Sequence, residues 1–291
     1  MMFQSTTTAF LLFGAAIASP LAARQQTTQT KDAAESTKTS DVYDWADGWT
    51  KKYPIHQSCN STLRRQLEVG LDEAVELAEH AKDHLLRYGH KSEFVQKYFG
   101  NESTAGPIGW YSRIANADKT GMIFRCDDPD RNCATQDDWA GHWRGENATA
   151  ETVICPPSFE IRKNLDSVCN NGYTVARSQR NTFWAVDLMH RILHVPIISE
   201  EIVDHFAEDY PTVIELAKED PSKSVIDSDT LQYFAIDVYA YDIAAPGVGC
   251  TGEAEEETEE KETKTSTDKP TPSKEAPKEC HTHDDGVVHC S

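Results

Sequence analysis

Long apolar runs are almost missing from this 291-residue chain. The one clear run, residues 9–18, is followed by small residues up to position 23. It is too short to span a bilayer, so residues 1–23 are expected to be a cleaved secretory signal peptide rather than an anchor. No other stretch is apolar enough for membrane insertion, and the mature protein is expected to be soluble. Basic residues are also scarce, at 28 Lys and Arg against 48 Asp and Glu, a formal net charge of −20. Such a surface repels phosphate backbones, which excludes nucleic acid as a partner, and it attracts cations. Large apolar side chains are missing from two segments. Residues 24–41 are rich in Gln, Thr, Ser and Lys. Residues 251–279 hold ten acidic and five basic residues and nothing aliphatic above alanine. Neither can bury enough surface to offset its ordering entropy, so a disordered leader and an acidic disordered linker are expected. There is no internal repeat.

Cysteine, by contrast, is plentiful: Cys59, Cys126, Cys133, Cys155, Cys169, Cys250, Cys280 and Cys290. An even count in an exported chain reads as a disulfide framework. Sequons at Asn60, Asn101 and Asn147 make the protein a candidate glycoprotein of the same route. A secreted, extracellular or cell-surface location follows.

The body, residues 42–250, has the length of one domain. Asn60 is a suitable N-cap for a helix to about Tyr88, with Leu63, Leu67, Leu71, Val75, Ala78, Leu85 and Leu86 at helical spacing. Residues 92–99 form a shorter helix. Residues 105–180 show brief strand-like runs, 121–125 and 152–154, among turn residues. Helical patterns cover 182–194, 200–219 and 227–243, with Pro196 closing the first. The expected fold class is α+β, mostly helical, with a small sheet.

The segment that carries chemistry is Asp187-Leu188-Met189-His190-Arg191-Ile192-Leu193-His194. Positions i and i+4 share a helix face, so both imidazoles can approach one metal ion, and zinc suits imidazole and carboxylate donors. Asp187, three residues before His190, is placed to orient an imidazole or to be a ligand. His205 is the preferred third ligand, arriving from the next element. Asp204 and Asp209 are rivals, as are Asp227 and Asp229 from the last helix. The zinc-peptidase version of the motif has Glu after the first His to polarise bound water. Here Arg191 stands there, and a guanidinium cannot act as a general base.

A second constellation closes the chain, Cys280-His281-Thr282-His283-Asp284-Asp285-Gly286-Val287-Val288-His289-Cys290. In an extended strand His281 and His283 share a side, Gly286 permits a turn that returns His289, and Cys280 can bridge Cys290. A zinc-binding tail, residues 280–291, is expected. His80, His84 and His90 are expected on the charged face of the first helix. His142, in a Gly-bounded aromatic loop, is expected to be a packed structural histidine.

Together these residues resemble a family of secreted fungal zinc scavengers, which includes a yeast pH-regulated antigen and a major mould allergen. The supporting stretches include Gly141-His142-Trp143-Arg144-Gly145, Asp187 to Pro196, Val203-Asp204-His205-Phe206-Ala207, Tyr239 to Cys250 and the Cys-His-Thr-His ending. The resemblance implies a zincin-like fold related to deuterolysin-type zinc proteases. It implies zinc bound by His190 and His194 and by His281, His283 and His289. It also implies a zincophore that delivers extracellular Zn2+ to a plasma-membrane zinc transporter, with host complement regulators as partners and allergenicity. Without a catalytic Glu, proteolysis is not expected. The alternatives are a zinc endopeptidase with an atypical base and a host-interacting antigen with structural zinc. Self-association is left open.

Overall fold

The computed structural model describes residues 43–136 and 139–253, together with the backbone of 280–282 and 288–290. The expected signal peptide, the leader, nearly all of the linker, and His283 lie outside the described residues. Within residues 46–253 the fold is mostly helical with one small sheet, the class expected from the sequence. No helix among the described residues is long and apolar enough to cross a membrane.

Helix α1, Ser61–Tyr88, starts where Asn60 Oδ1 accepts the amides of Thr62 and Leu63 and stops at Gly89, whose φ of 50° breaks the helical geometry. Its buried stripe (Leu67, Leu71, Ala74, Leu77, Ala78, Ala81 and Leu85) packs on three later helices. Ser92 caps α2, Glu93–Phe99. Helix α3, Ala105–Asn116, is a correction: its Gly-rich sequence reads as turn, but buried Tyr111 and Ile114 hold it against α1. The sheet holds β1 (Ile123–Arg125), β2 (Gly141–Trp143) and β3 (Glu151–Ile154), with α4, Asn132–Thr135, between the first two. The order is β1-β3-β2, with β1 parallel and β2 antiparallel to β3. The segment at His142, expected as a loop, is thus an edge strand. Helix α5, Pro156–Ile161, follows.

Helix α6, Trp184–Leu193, has all ten residues buried. Pro196 does not close it; proline instead begins a short helix α7, Pro196–Ser199, at the position where its missing N–H costs nothing. The helix expected over 200–219 is only α8, Tyr210–Glu219. Glu200 and Glu201 adopt positive φ of 54° and 59°, and a capping box between Asp209 and Thr212 starts α8 afresh, so 200–209 is irregular chain. Then come α9 (Pro221–Ser224) and α10 (Ser228–Tyr239), the latter capped by Asp227, wholly buried, and prolonged by a π-turn over residues 240–244.

Among the described residues three disulfides tie the loops: Cys59–Cys126, Cys133–Cys155 and Cys169–Cys250. At the C-terminus β4 (Cys280–Thr282) pairs antiparallel with β5 (Val288–Cys290), and the register sets Cys280 opposite Cys290 and His281 opposite His289.

Candidate metal centre

Helix α6 supplies His190 and, at its C-cap, His194. The irregular chain after α7 supplies His205. His194 Nε2 lies 3.1 Å from His190 Nε2 and 3.2 Å from His205 Nε2. A tetrahedral zinc with bonds of ~2.0–2.1 Å would hold nitrogen ligands about 3.3 Å apart, so this spacing suits a metal of zinc's size. His190 is buried, and His194 and His205 are half-buried.

The loop reaches this point because Asp227 holds it. The buried Asp227 carboxylate accepts the amides of Phe206 at 2.7 Å and Ala207 at 3.2 Å while capping α10 through Thr230 at 2.7 Å. Burial raises its pKa above the ordinary carboxylate value, against the lowering effect of those donors.

Two side chains of α10 orient the imidazoles. His205 Nδ1 donates to Asp229 Oδ2 at 2.5 Å, leaving Nε2 unprotonated and aimed at the centre. Asp229 is itself buried and paired with the Arg180 guanidinium. Gln232 Nε2 lies 3.1 Å from His190 Nδ1, and Gln232 Oε1 is buried with no hydrogen-bond partner. Gln232 Nε2 also donates to Ser228 O at 3.0 Å, which fixes the amide beside the His190 imidazole. The donor set therefore fits a divalent first-row metal, zinc among them.

Asp187 is a correction. Its fully buried Oδ1 is taken by Arg191 Nη2 at 2.9 Å and faces Arg162 Nη2 at 3.4 Å. Its position three residues before His190 suggested a carboxylate for the metal, but guanidinium groups claim it. Arg191 is buried and reaches towards β2, where its Nη1 lies 2.6 Å from the point a Cβ on Gly141 would occupy. Asp204 is exposed, accepts the His205 amide at 2.8 Å and is not gathered with the three imidazoles. Asp209 is spent on capping α8, Asp227 on the loop, and Asp229 on His205.

Other expected residues fall elsewhere. His142 is buried beside the Cys133–Cys155 disulfide, and its pKa is pushed down to about 4 by burial first and by the Arg191 charge second. The disulfide leaves no thiolate there for a metal. His84 is buried and His80 half-buried, against the expectation of a solvated face. His80 Nε2 and His84 Nδ1 meet Asp242 Oδ2 at 3.0 and 2.7 Å, and His84 Nε2 meets Ser92 Oγ at 2.7 Å, which ties the π-turn to α1. Asn60, Asn101 and Asn147 are exposed. His281 and His289 sit at paired positions of β4 and β5. Gln232, Arg162 and Arg180 are missed by the sequence reading; Gln232 follows the candidate ligands Asp227 and Asp229 on α10, whereas nothing near Arg162 or Arg180 marks a metal site.

Residues 7–253 match the model of the HRXXH family, described as "Putative peptidase family". The major allergen Asp f 2 of Aspergillus fumigatus is 48% identical over 94% of this chain and 96% of its own length. The pH-regulated antigen PRA1 of Candida albicans is 45% identical over 84% of this chain and 80% of its own, and protein ZPS1 of Saccharomyces cerevisiae is 34% identical over 70% and 82%. Among solved structures, a zinc peptidase from Grifola frondosa is similar at 14% identity and a TM-score of 0.44, over 62% of this chain and 97% of that one. That likeness is too loose to bear on fold or activity.

Proposed function

Because this chain belongs to the HRXXH family, we propose that it is a secreted zincophore: it captures extracellular Zn2+ and delivers it to a cell-surface zinc transporter without cleaving peptides. The observation that carries this reading is the pairing of a formed three-imidazole centre with Arg191 where a hydrolase needs a base. His190, His194 and His205 converge, while Arg191 is buried and ion-paired to Asp187 one turn back on the same helix. Three neutral nitrogen donors hold a zinc ion without neutralising its charge, and among the described residues no carboxylate joins them within metal-ligand distance.

In this reading zinc is cargo. Ligating imidazoles must be deprotonated, so uptake is favoured at neutral to alkaline pH and release on acidification. The excess of acidic side chains draws cations towards the surface. The tail histidines His281, His283 and His289 add capacity. Host complement regulators and copies of the chain itself are further proposed partners.

The test is zinc stoichiometry of the secreted protein beside a general peptidase assay. Zinc bound by the full chain, reduced in His190→Ala and reduced separately in His281→Ala/His283→Ala, with no hydrolysis, is the expected outcome. Peptide cleavage that disappears in His190→Ala would overturn the reading in favour of an endopeptidase. The variant Arg191→Glu, which writes the peptidase motif into the chain, is expected to set a carboxylate against Asp187 and yield an unstable, inactive protein.

A further inference from the structure

The sheet ends at β2, and the geometry of its pairing shows which main-chain groups face outward. Arg144 N–H donates to Glu151 O and Cys155 N–H to Ala140 O, flanking the register pair His142 and Val153. Alternate residues of an antiparallel strand address the partner, so His142 turns its N–H and C=O to β3. Gly141 and Trp143 turn theirs to the open side, where no ladder forms among the described residues. The same strand packs on the helix that carries the centre: Arg191, between His190 and His194 on α6, lies so close to Gly141 that a Cβ there would be 2.6 Å from Nη1.

Strand β4 comes close to β2. Cα atoms of β4 and β2 approach within 8 Å, although the two strands share no ladder. Paired strands lie about 4.8 Å apart, so β4 is near enough to β2 for pairing to be a sterically accessible arrangement. Its partner β5 puts His289 opposite His281. The 26 residues 254–279 can span at most about 90 Å, so the tether permits the approach, and covalent linkage makes the encounter intramolecular.

We propose that the C-terminal hairpin is the in-cis ligand of the β2 edge: β4 adds as a fourth strand to the main-chain groups of Gly141 and Trp143, beside the helix that bears His190 and His194. Strand addition gives affinity through backbone hydrogen bonds. Two consequences follow. The tail's paired His281 and His289 positions stand beside the helix of the body centre, so the two zinc-handling parts work as one unit and the hairpin slows loss of the body's metal. The same edge is denied to any foreign peptide strand. The consequence for metal rests on the zincophore reading, whereas the docking itself does not.

The experiment uses the full chain and a Val288→Pro variant, whose proline removes a backbone donor from β5 and disrupts the hairpin without touching the body. Amide hydrogen exchange at Gly141 and Trp143 is read first in metal-free protein. At least tenfold faster exchange in Val288→Pro is expected, and equal exchange would overturn the docking. Independently of that variant, nuclear Overhauser contacts between β2 and residues 280–282 are expected in the wild-type chain, and their absence would overturn it too. In zinc-loaded protein, stripping of body zinc by excess chelator should run several-fold faster in Val288→Pro; an unchanged rate would sink the protective role. A chain that bound no zinc would defeat the zincophore reading and still leave the exchange comparison decisive for docking.

Discussion

At the scale of single residues, the centre is defined less by its three histidines than by the groups behind them. His205 acts with Asp229, and Asp229 with Arg180. Replacing Asp229 by Asn keeps the shape but weakens the hold on the His205 tautomer, and a lost partner of this kind costs about 10–100-fold in metal affinity. Competition titration against a chromophoric chelator measures that loss, with exposed Asp204→Asn expected to bind as the native chain does. His142 makes a prediction of a different sort. Its folded pKa of about 4 lies below the ordinary unfolded value, so the unfolded chain takes up a proton that the folded chain refuses. Its contribution is therefore complete above the unfolded pKa of about 6.5 and is lost as pH falls from there to about 4, amounting to about 3 kcal/mol. Urea unfolding of metal-free protein between pH 7 and 4 should show a shallower decline in His142→Leu.

At the scale of elements, the position of α6 governs everything else at the site. Helix α6 lies against α1 at Gly70, where an added Cβ would meet Trp184 Cβ at 2.8 Å and Leu188 Cδ1 at 2.9 Å. Alanine ordinarily favours a helix over glycine, yet here the clash with α6 wins. Gly70→Ala is expected to cost about 1–3 kcal/mol, read as a lowered Tm, and to weaken zinc binding by shifting the helix that carries two ligands. The loop of residues 200–209 shows the converse. Read by periodicity it continues into α8, but the positive φ of Glu200 and Glu201 turns it aside, and the Asp227 carboxylate fixes it with His205 at the centre.

At the scale of the whole molecule, a chain with a strong excess of negative charge is held shut by disulfides. Cys169–Cys250 closes the longest of the three loops among the described residues, and residues 250–251 are further anchored through Val175 N–H to Cys250 O and Ala176 N–H to Thr251 O. Loop-closure entropy sets its contribution at about 4 kcal/mol, so Cys169→Ser/Cys250→Ser should lower unfolding stability by that order in a denaturant titration.

The sequence by itself determined the helical, disulfide-pinned character of the body, because apolar spacing and capping residues act over a few neighbouring positions. It also marked His190 and His194 as a pair, since helical geometry alone puts i and i+4 on one face. What only the tertiary structure decided were the partners of those residues. Asp187 looked like a group for the metal and is instead the partner of Arg191, because charges buried in a low-dielectric interior must be neutralised by whatever the fold brings near. His80 and His84 looked solvated, and their burial depends on Asp242, more than 150 residues away. His205 joins the centre through Asp227 and Asp229 on the last helix. Such long-range pairings leave no periodic trace along the chain; they exist only once packing has brought distant segments into hydrogen-bonding distance.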